Sequence, residues 1–79
     1  MTKLEIYVTD HCWSCEESRR LAAEVRASMR DVEVELVDLN SERRPSHVFA
    51  APTYVLDGKV IFLGNPHWEA LQQKLAAAG

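Results

Sequence analysis

Over residues 3–8, apolar Leu4, Ile6 and Val8 alternate with Lys3, Glu5 and Tyr7. A period of two predicts a strand with one strongly apolar face and Tyr7 on the outward one, or bordering whatever lies beyond the strand's end. At Cys15 the period changes. Cys15, Ser18, Ala22, Val25 and Met29, flanked by Leu21, recur at spacings of three and four. They mark the buried stripe of a helix over residues 16–30. Glu16 and Glu17 fall in its first turn and Arg26 and Arg30 near its end, so the charges complement the helix dipole. Val32, Val34 and Leu36 then alternate with Glu33 and Glu35 and predict a second strand running to about residue 39. A strand, a helix and a strand of these lengths make a βαβ unit, with parallel strands and a right-handed crossover.

Residues 40–51 are polar and broken by Pro45, leaving room for at most a short helical turn near residues 41–48. Two β-rich runs follow, residues 53–56 and 60–63, joined by Asp57-Gly58. That dipeptide suits a type I′ hairpin turn, which needs positive φ at both central residues. Gly64-Asn65-Pro66 interrupts the pattern, with Asn65 suited to cap a helix and Pro66 to open one. In the closing helix Trp68, Leu71 and Leu75 share a core-facing side, and the terminal alanines fray. The order is β-α-β, a short α or turn, then β-β-α, without repeats or linkers.

Composition narrows the functional classes. Seventy-nine residues that are 47% hydrophobic bury one modest core, so residues 1–79 are expected to form a single domain. A net charge of −3 gives no general attraction to nucleic acid or anionic lipid, and Arg43-Arg44 is too short a basic run to reverse it. Met1 leads almost at once into the first strand, without a charged and apolar leader or a membrane-length apolar stretch. A cytoplasmic protein, acting as a monomer, is expected.

Cys12-Trp13-Ser14-Cys15 lies between the first strand and the helix, placing two thiols at a helix N-terminus. Free N–H groups and the positive end of the dipole favour the thiolate there, and the thiolate is the attacking species in disulfide exchange. A bridge between cysteines this close closes a tiny loop and adds little to folding, so a structural staple is the weaker reading. In a reducing compartment such a pair is catalytic or metal-binding more often than permanently oxidised. As metal ligands the two supply half of a tetrahedral site. With no second cysteine pair and no suitably spaced histidine pair, closing that site needs a second subunit.

The element order, the Cys12-Trp13-Ser14-Cys15 motif after the first strand, and Ala51-Pro52-Thr53 just before the hairpin together resemble the thioredoxin superfamily, at its small glutaredoxin-like end. The similarity covers essentially the whole chain. It implies an α/β thioredoxin-like fold, a four-stranded mixed sheet flanked by helices. It also implies a cis Pro52 facing the cysteines, with the backbone of Ala51 and Thr53 beside it receiving the substrate chain. From the residues alone Pro52 is open to either isomer. The chain departs from the family's patterns in three places. Ile6 stands where thioredoxins carry a buried acid. Gly64-Asn65-Pro66-His67 replaces the Gly-Gly and acid with which glutaredoxins hold glutathione, unless Glu69 reaches back. The stretch between Asp38 and Pro52 is short, which exposes more of the site.

The expected chemistry is dithiol–disulfide exchange. Cys12, nearer solvent, attacks a substrate disulfide, and Cys15, more buried, resolves the mixed disulfide. Trp13 offers a contact surface for a protein substrate, and the Ser14 hydroxyl is placed to donate to the thiolate. His11 assists if protonated, whereas Glu16 and Glu17 oppose thiolate formation if they point at the sulfur. His47 and His67 carry no signal, and Arg19, Arg20, Arg43 and Arg44 read as solvated. No metal and no bound cofactor are expected, with glutathione a candidate co-substrate. Partners are protein disulfides and, as reductant, a flavin disulfide reductase or glutathione. The competing readings are a thioredoxin-fold adaptor without turnover and a metal-binding module.

Overall fold

Thr2–Val8, the run of strictest alternation, forms β1, on which the sheet is built. In the computed structural model, which describes residues 2–10 and 12–78, the chain continues through α1 (Cys15–Ser28), β2 (Val32–Asp38), β3 (Thr53–Leu56), β4 (Lys59–Leu63) and α2 (Trp68–Ala78). The strands form one mixed sheet in the order β2-β1-β3-β4. β2 runs parallel to β1, Thr2 opposite Val32 and Val8 opposite Asp38. β3 runs antiparallel to β1, with Tyr7 opposite Thr53, and β4 antiparallel to β3. The expected α/β arrangement is therefore present. Residues 39–52 contain turns and no α-helix.

β1 and β3 are interior strands, and both their faces are covered. Leu4, Ile6 and Val8 meet Tyr54 and Leu56 on one face, beneath Cys15, Leu21, Ala22 and Val25 of α1 and Leu71 and Leu75 of α2. Trp68, half-buried, packs against the same cluster as its helical spacing predicts. Tyr7 corrects the sequence expectation, since it is buried rather than outward-facing. It packs with Val37, Val55 and Val48 on the other face, under the turns of residues 39–52. Alternation identified the two faces of β1, but what covers the second comes from a segment without periodicity.

Toward the start of β1 the same face is ionic. Glu5 and Glu35 sit side by side in the β1–β2 register, a pairing that repels without counter-charge. Arg43 supplies it, bonding both carboxylate oxygens of Glu35 and approaching Glu5 at 3.8 Å. Lys3 lies 3.4 Å from Glu35 and 3.9 Å from Glu33.

Two boundaries differ from the periodic reading. Met29 leaves helical space at φ −130° and ψ 81°, although its N–H still reaches the Val25 carbonyl. Val32 then bonds back to the Met29 carbonyl, so α1 closes two residues early and turns directly into β2. α2 begins at Trp68, its first turn closed by the Leu71 N–H on the His67 carbonyl. Asn65 and Pro66 therefore lie upstream of the helix and neither caps nor opens it. The Asp57-Gly58 turn is as expected, with φ of 48° and 87°. Asp57 ties this turn to β1 through the Lys3 N–H on its carboxylate and its own N–H on the Lys3 carbonyl, each 2.9 Å.

The Arg43 contact holds the Glu35 carboxyl down at about 2 against an ordinary 4.5. A carboxyl with a depressed folded pKa stabilises the fold fully above its unfolded value, and that contribution is lost as pH falls toward the folded one. Glu35→Gln should lower the melting temperature by a constant amount at neutral pH. The gap to wild type should narrow below pH 4.5 and close near pH 2, as read from thermal melts across that range. A gap independent of pH would remove the ion pair from the account.

Candidate active site

β1 delivers the chain to the cysteines and β3 begins immediately after Pro52. Because Tyr7 pairs with Thr53, the end of β1 and the start of β3 lie at the same end of the sheet. The candidate residues from both parts of the sequence thus converge there. Cys12 and Cys15 are joined by a disulfide, with Cα atoms 5.1 Å apart. The Cys15 N–H reaches the Cys12 carbonyl at 3.1 Å, which closes the turn between them.

The two sulfurs stand in unequal positions. Cys15 is the first residue of α1 and is completely buried against Leu4 and Ile6 in the main core. Cys12 lies in the turn ahead of the helix and is half-buried, packed only against the core's margin. This corrects the expectation that both thiols open the first helical turn, for only Cys15 does. Ser14 occupies the cap position, but its side chain caps no backbone N–H. Its hydroxyl is 3.8 Å from the Cys12 sulfur. His11 lies outside the described residues.

The two acids that follow the pair are engaged by arginines of the same helix. The Glu17 carboxylate takes two bonds from Arg20, of 2.6 and 2.8 Å, which hold it below the usual carboxylate range. Glu16 lies 3.9 Å from Arg19. Both acids are engaged one turn along their own helix, which weakens the opposition to a thiolate expected from their position.

Across from the turn, the Ala51–Pro52 peptide bond is cis. Pro52 and Thr53 are buried and Ala51 is half-buried against the main core. Thr53 donates to the Ala50 carbonyl at 2.5 Å, bracing the loop that carries the proline. Trp13 is 88% exposed, and Leu63, paired with Thr53 at this end of the sheet, is 75% exposed. Phe49, three residues ahead of Pro52, is 77% exposed.

Sequence reasoning missed Asn65, which it assigned to helix capping. The Asn65 amide donates to the Ser14 carbonyl at 2.7 Å. Its oxygen accepts from Ser18 at 2.6 Å and from Tyr54 at 2.7 Å. The one signal available was buried Ser18 on the apolar stripe of α1, a hydroxyl that needs a partner.

Two cavities open elsewhere on the surface, and neither is lined by a cysteine. One of about 330 Å³ lies among Leu39, Asn40, Ser41, Arg44 and Phe49. The other, of about 460 Å³, lies between the hairpin and the end of α2. Among the described residues no group of three or more acidic, cysteine or histidine side chains is arranged to hold a metal ion.

No protein-family model matches the chain. It is 34% identical over 77 residues to a thioredoxin of Methanocaldococcus jannaschii, an alignment covering 92% of this chain and 91% of that one. Its fold is similar to oxidised mitochondrial thioredoxin 3 of Saccharomyces cerevisiae, with a TM-score of 0.75 and 21% identity over 96% of this chain and 77% of that one. Spinach chloroplast thioredoxin f superposes with a TM-score of 0.77 at 17% identity, over 98% of this chain and 69% of that one.

Proposed function

Because the chain belongs to the thioredoxin family, we propose that in its dithiol–disulfide exchange Cys12 attacks and Cys15 resolves. The carrying observation is the difference in access between two bonded sulfurs, Cys12 half-exposed and Cys15 wholly buried. The reduced protein presents a Cys12 thiolate to a substrate disulfide. Attack forms a Cys12–substrate disulfide and expels the first substrate sulfur as a thiolate. Cys15, deprotonated, then attacks the Cys12 sulfur, forms the Cys12–Cys15 disulfide and releases the second substrate sulfur. The substrate gains two electrons and, from solvent, two protons; the enzyme is left oxidised, the state seen here.

Protein disulfides are the substrates that best suit the surface. Trp13 and Leu63 present exposed apolar area beside the cysteine turn and the Pro52 loop. We assign substrate contact to Trp13 and Ser14 and to the Ala51-Pro52-Thr53 backbone. A flavin disulfide reductase is the favoured reductant over glutathione. The segment where glutaredoxins place Gly-Gly and an acid for the tripeptide reads Gly64-Asn65-Pro66-His67, and the Asn65 side chain is engaged inward. The exchange needs only the two sulfurs, so the enzyme works without a bound metal or cofactor. Among the described residues no helix is long and apolar enough to cross a membrane. A monomer in the cytoplasm is the setting we propose for this exchange.

The order of attack is tested by trapping. Cys15→Ser, mixed with a disulfide-bonded protein, should accumulate a covalent adduct through Cys12, seen by mass and lost on reduction. Cys12→Ser should form none and turn over at the background rate. Turnover retained by Cys12→Ser would overturn the assignment.

Trp13→Ala should leave the melting temperature nearly unchanged, since a surface substitution typically costs under about 0.5 kcal/mol. It should raise KM for protein disulfides roughly tenfold, the effect of losing about 1.4 kcal/mol of contact. Turnover of a small-molecule disulfide should hold. An equal loss on both substrates would place Trp13 in the chemistry rather than in docking.

A further inference from the structure

Asn65 stands where the two halves of the active site meet. Its neighbour Gly64 donates its N–H to the Pro52 carbonyl at 2.8 Å, fixing this segment to the proline loop. One residue on, the Asn65 side chain crosses to the cysteine turn and donates to the Ser14 carbonyl at 2.7 Å. A carbonyl only accepts, so the amide nitrogen must face Ser14 and the amide oxygen must face the two hydroxyls. Ser18, itself wholly buried, and Tyr54 then both donate to that oxygen. All of the side chain's heavy polar atoms are engaged, and its orientation is over-determined.

The bond to Ser14 falls on the residue between Trp13 and Cys15, inside the turn that the disulfide closes. We propose that Asn65 is a positioning residue that sets the redox equilibrium of the Cys12–Cys15 pair. By holding the Ser14 carbonyl it keeps the turn closed in the reduced protein, so the two thiols stay within reach and disulfide formation is favoured. Tyr54 and Ser18 orient the amide from behind. The Tyr54 hydroxyl stays protonated because burial raises its pKa, and it keeps its role as donor. The proposal rests on exchange at this cysteine pair.

The test is the equilibrium of the wild-type protein and two variants with glutathione buffers, reading the Cys12–Cys15 disulfide by alkylation and mass. Wild type cycling as a two-electron couple establishes the exchange itself, separately from the role of Asn65. Asn65→Ala should then shift the equilibrium about tenfold toward the dithiol, which is about 30 mV more oxidising for a two-electron couple. Tyr54→Phe removes one bond to the amide oxygen and leaves the donor to Ser14, and should stay within twofold of wild type. A general loss of stability acts on both redox forms and does not move this ratio. An unshifted Asn65→Ala, or an equal shift in Tyr54→Phe, overturns the proposal.

If Asn65→Ala does not fold, wild type carries the test by NMR. The Asn65 amide proton bonded to Ser14 should exchange slowly in both redox forms. Fast exchange in the reduced protein overturns the proposal, since a bond absent there holds no thiols together.

Discussion

β1 is bonded along both edges, parallel to β2 and antiparallel to β3, and everything functional is placed by where it ends. Leu4 and Ile6 are completely buried, each worth roughly 1.5–3 kcal/mol relative to exposure. Slipping β1 by one residue would turn those side chains to the opposite face, so the register is held firmly. That register pairs Tyr7 with Thr53 and thereby brings a turn near residue 12 against a loop near residue 52. Two segments forty residues apart become one site as a consequence of core packing.

The same packing makes the two sulfurs unequal. Cys15 belongs to the buried stripe of α1, and its contacts are those of a core residue. Cys12 is held outside the helix by the turn that precedes it. The proposed order of exchange follows from this difference, since a bulky substrate has access to the exposed sulfur and not to the buried one. The charges of α1 reinforce this. With Glu16 and Glu17 drawn to Arg19 and Arg20, the start of the helix keeps its favourable field for an anion.

Where local rules and tertiary placement coincide, the sequence was readable. Asp57-Gly58 is an example, because positive φ is a property of the turn itself. The stripe of α1 is another, since one face of a helix packs on a sheet whatever the fold. The βαβ order and the cysteine spacing, taken with Ala51-Pro52-Thr53, led to the family. Tyr7 was misjudged because its burial depends on Val48, which arrives from a turn segment forty residues later. Asn65 was misjudged for a related reason. Its short polar side chain fits a helix cap as well as it fits a buried junction, and only the approach of Ser14, Ser18 and Tyr54 decides between them. Polar residues at punctuation points satisfy several local rules at once, so their partners must be known before their role can be read.

The turns of residues 39–52 give the site its remaining character. They cover only the Tyr7 end of the second face, while Arg43 reaches across the rest to neutralise the glutamates of β1 and β2. This economy leaves Phe49 exposed just ahead of the Pro52 loop, with Leu63 exposed beside its far side and Trp13 on the cysteine turn. An enclosed pocket would select substrates by shape. Exposed aromatic and aliphatic side chains around the turn impose little shape, which is why the proposed substrate contact is apolar surface together with the backbone beside Pro52. That exposed apolar surface is what the proposed preference for protein disulfides rests on.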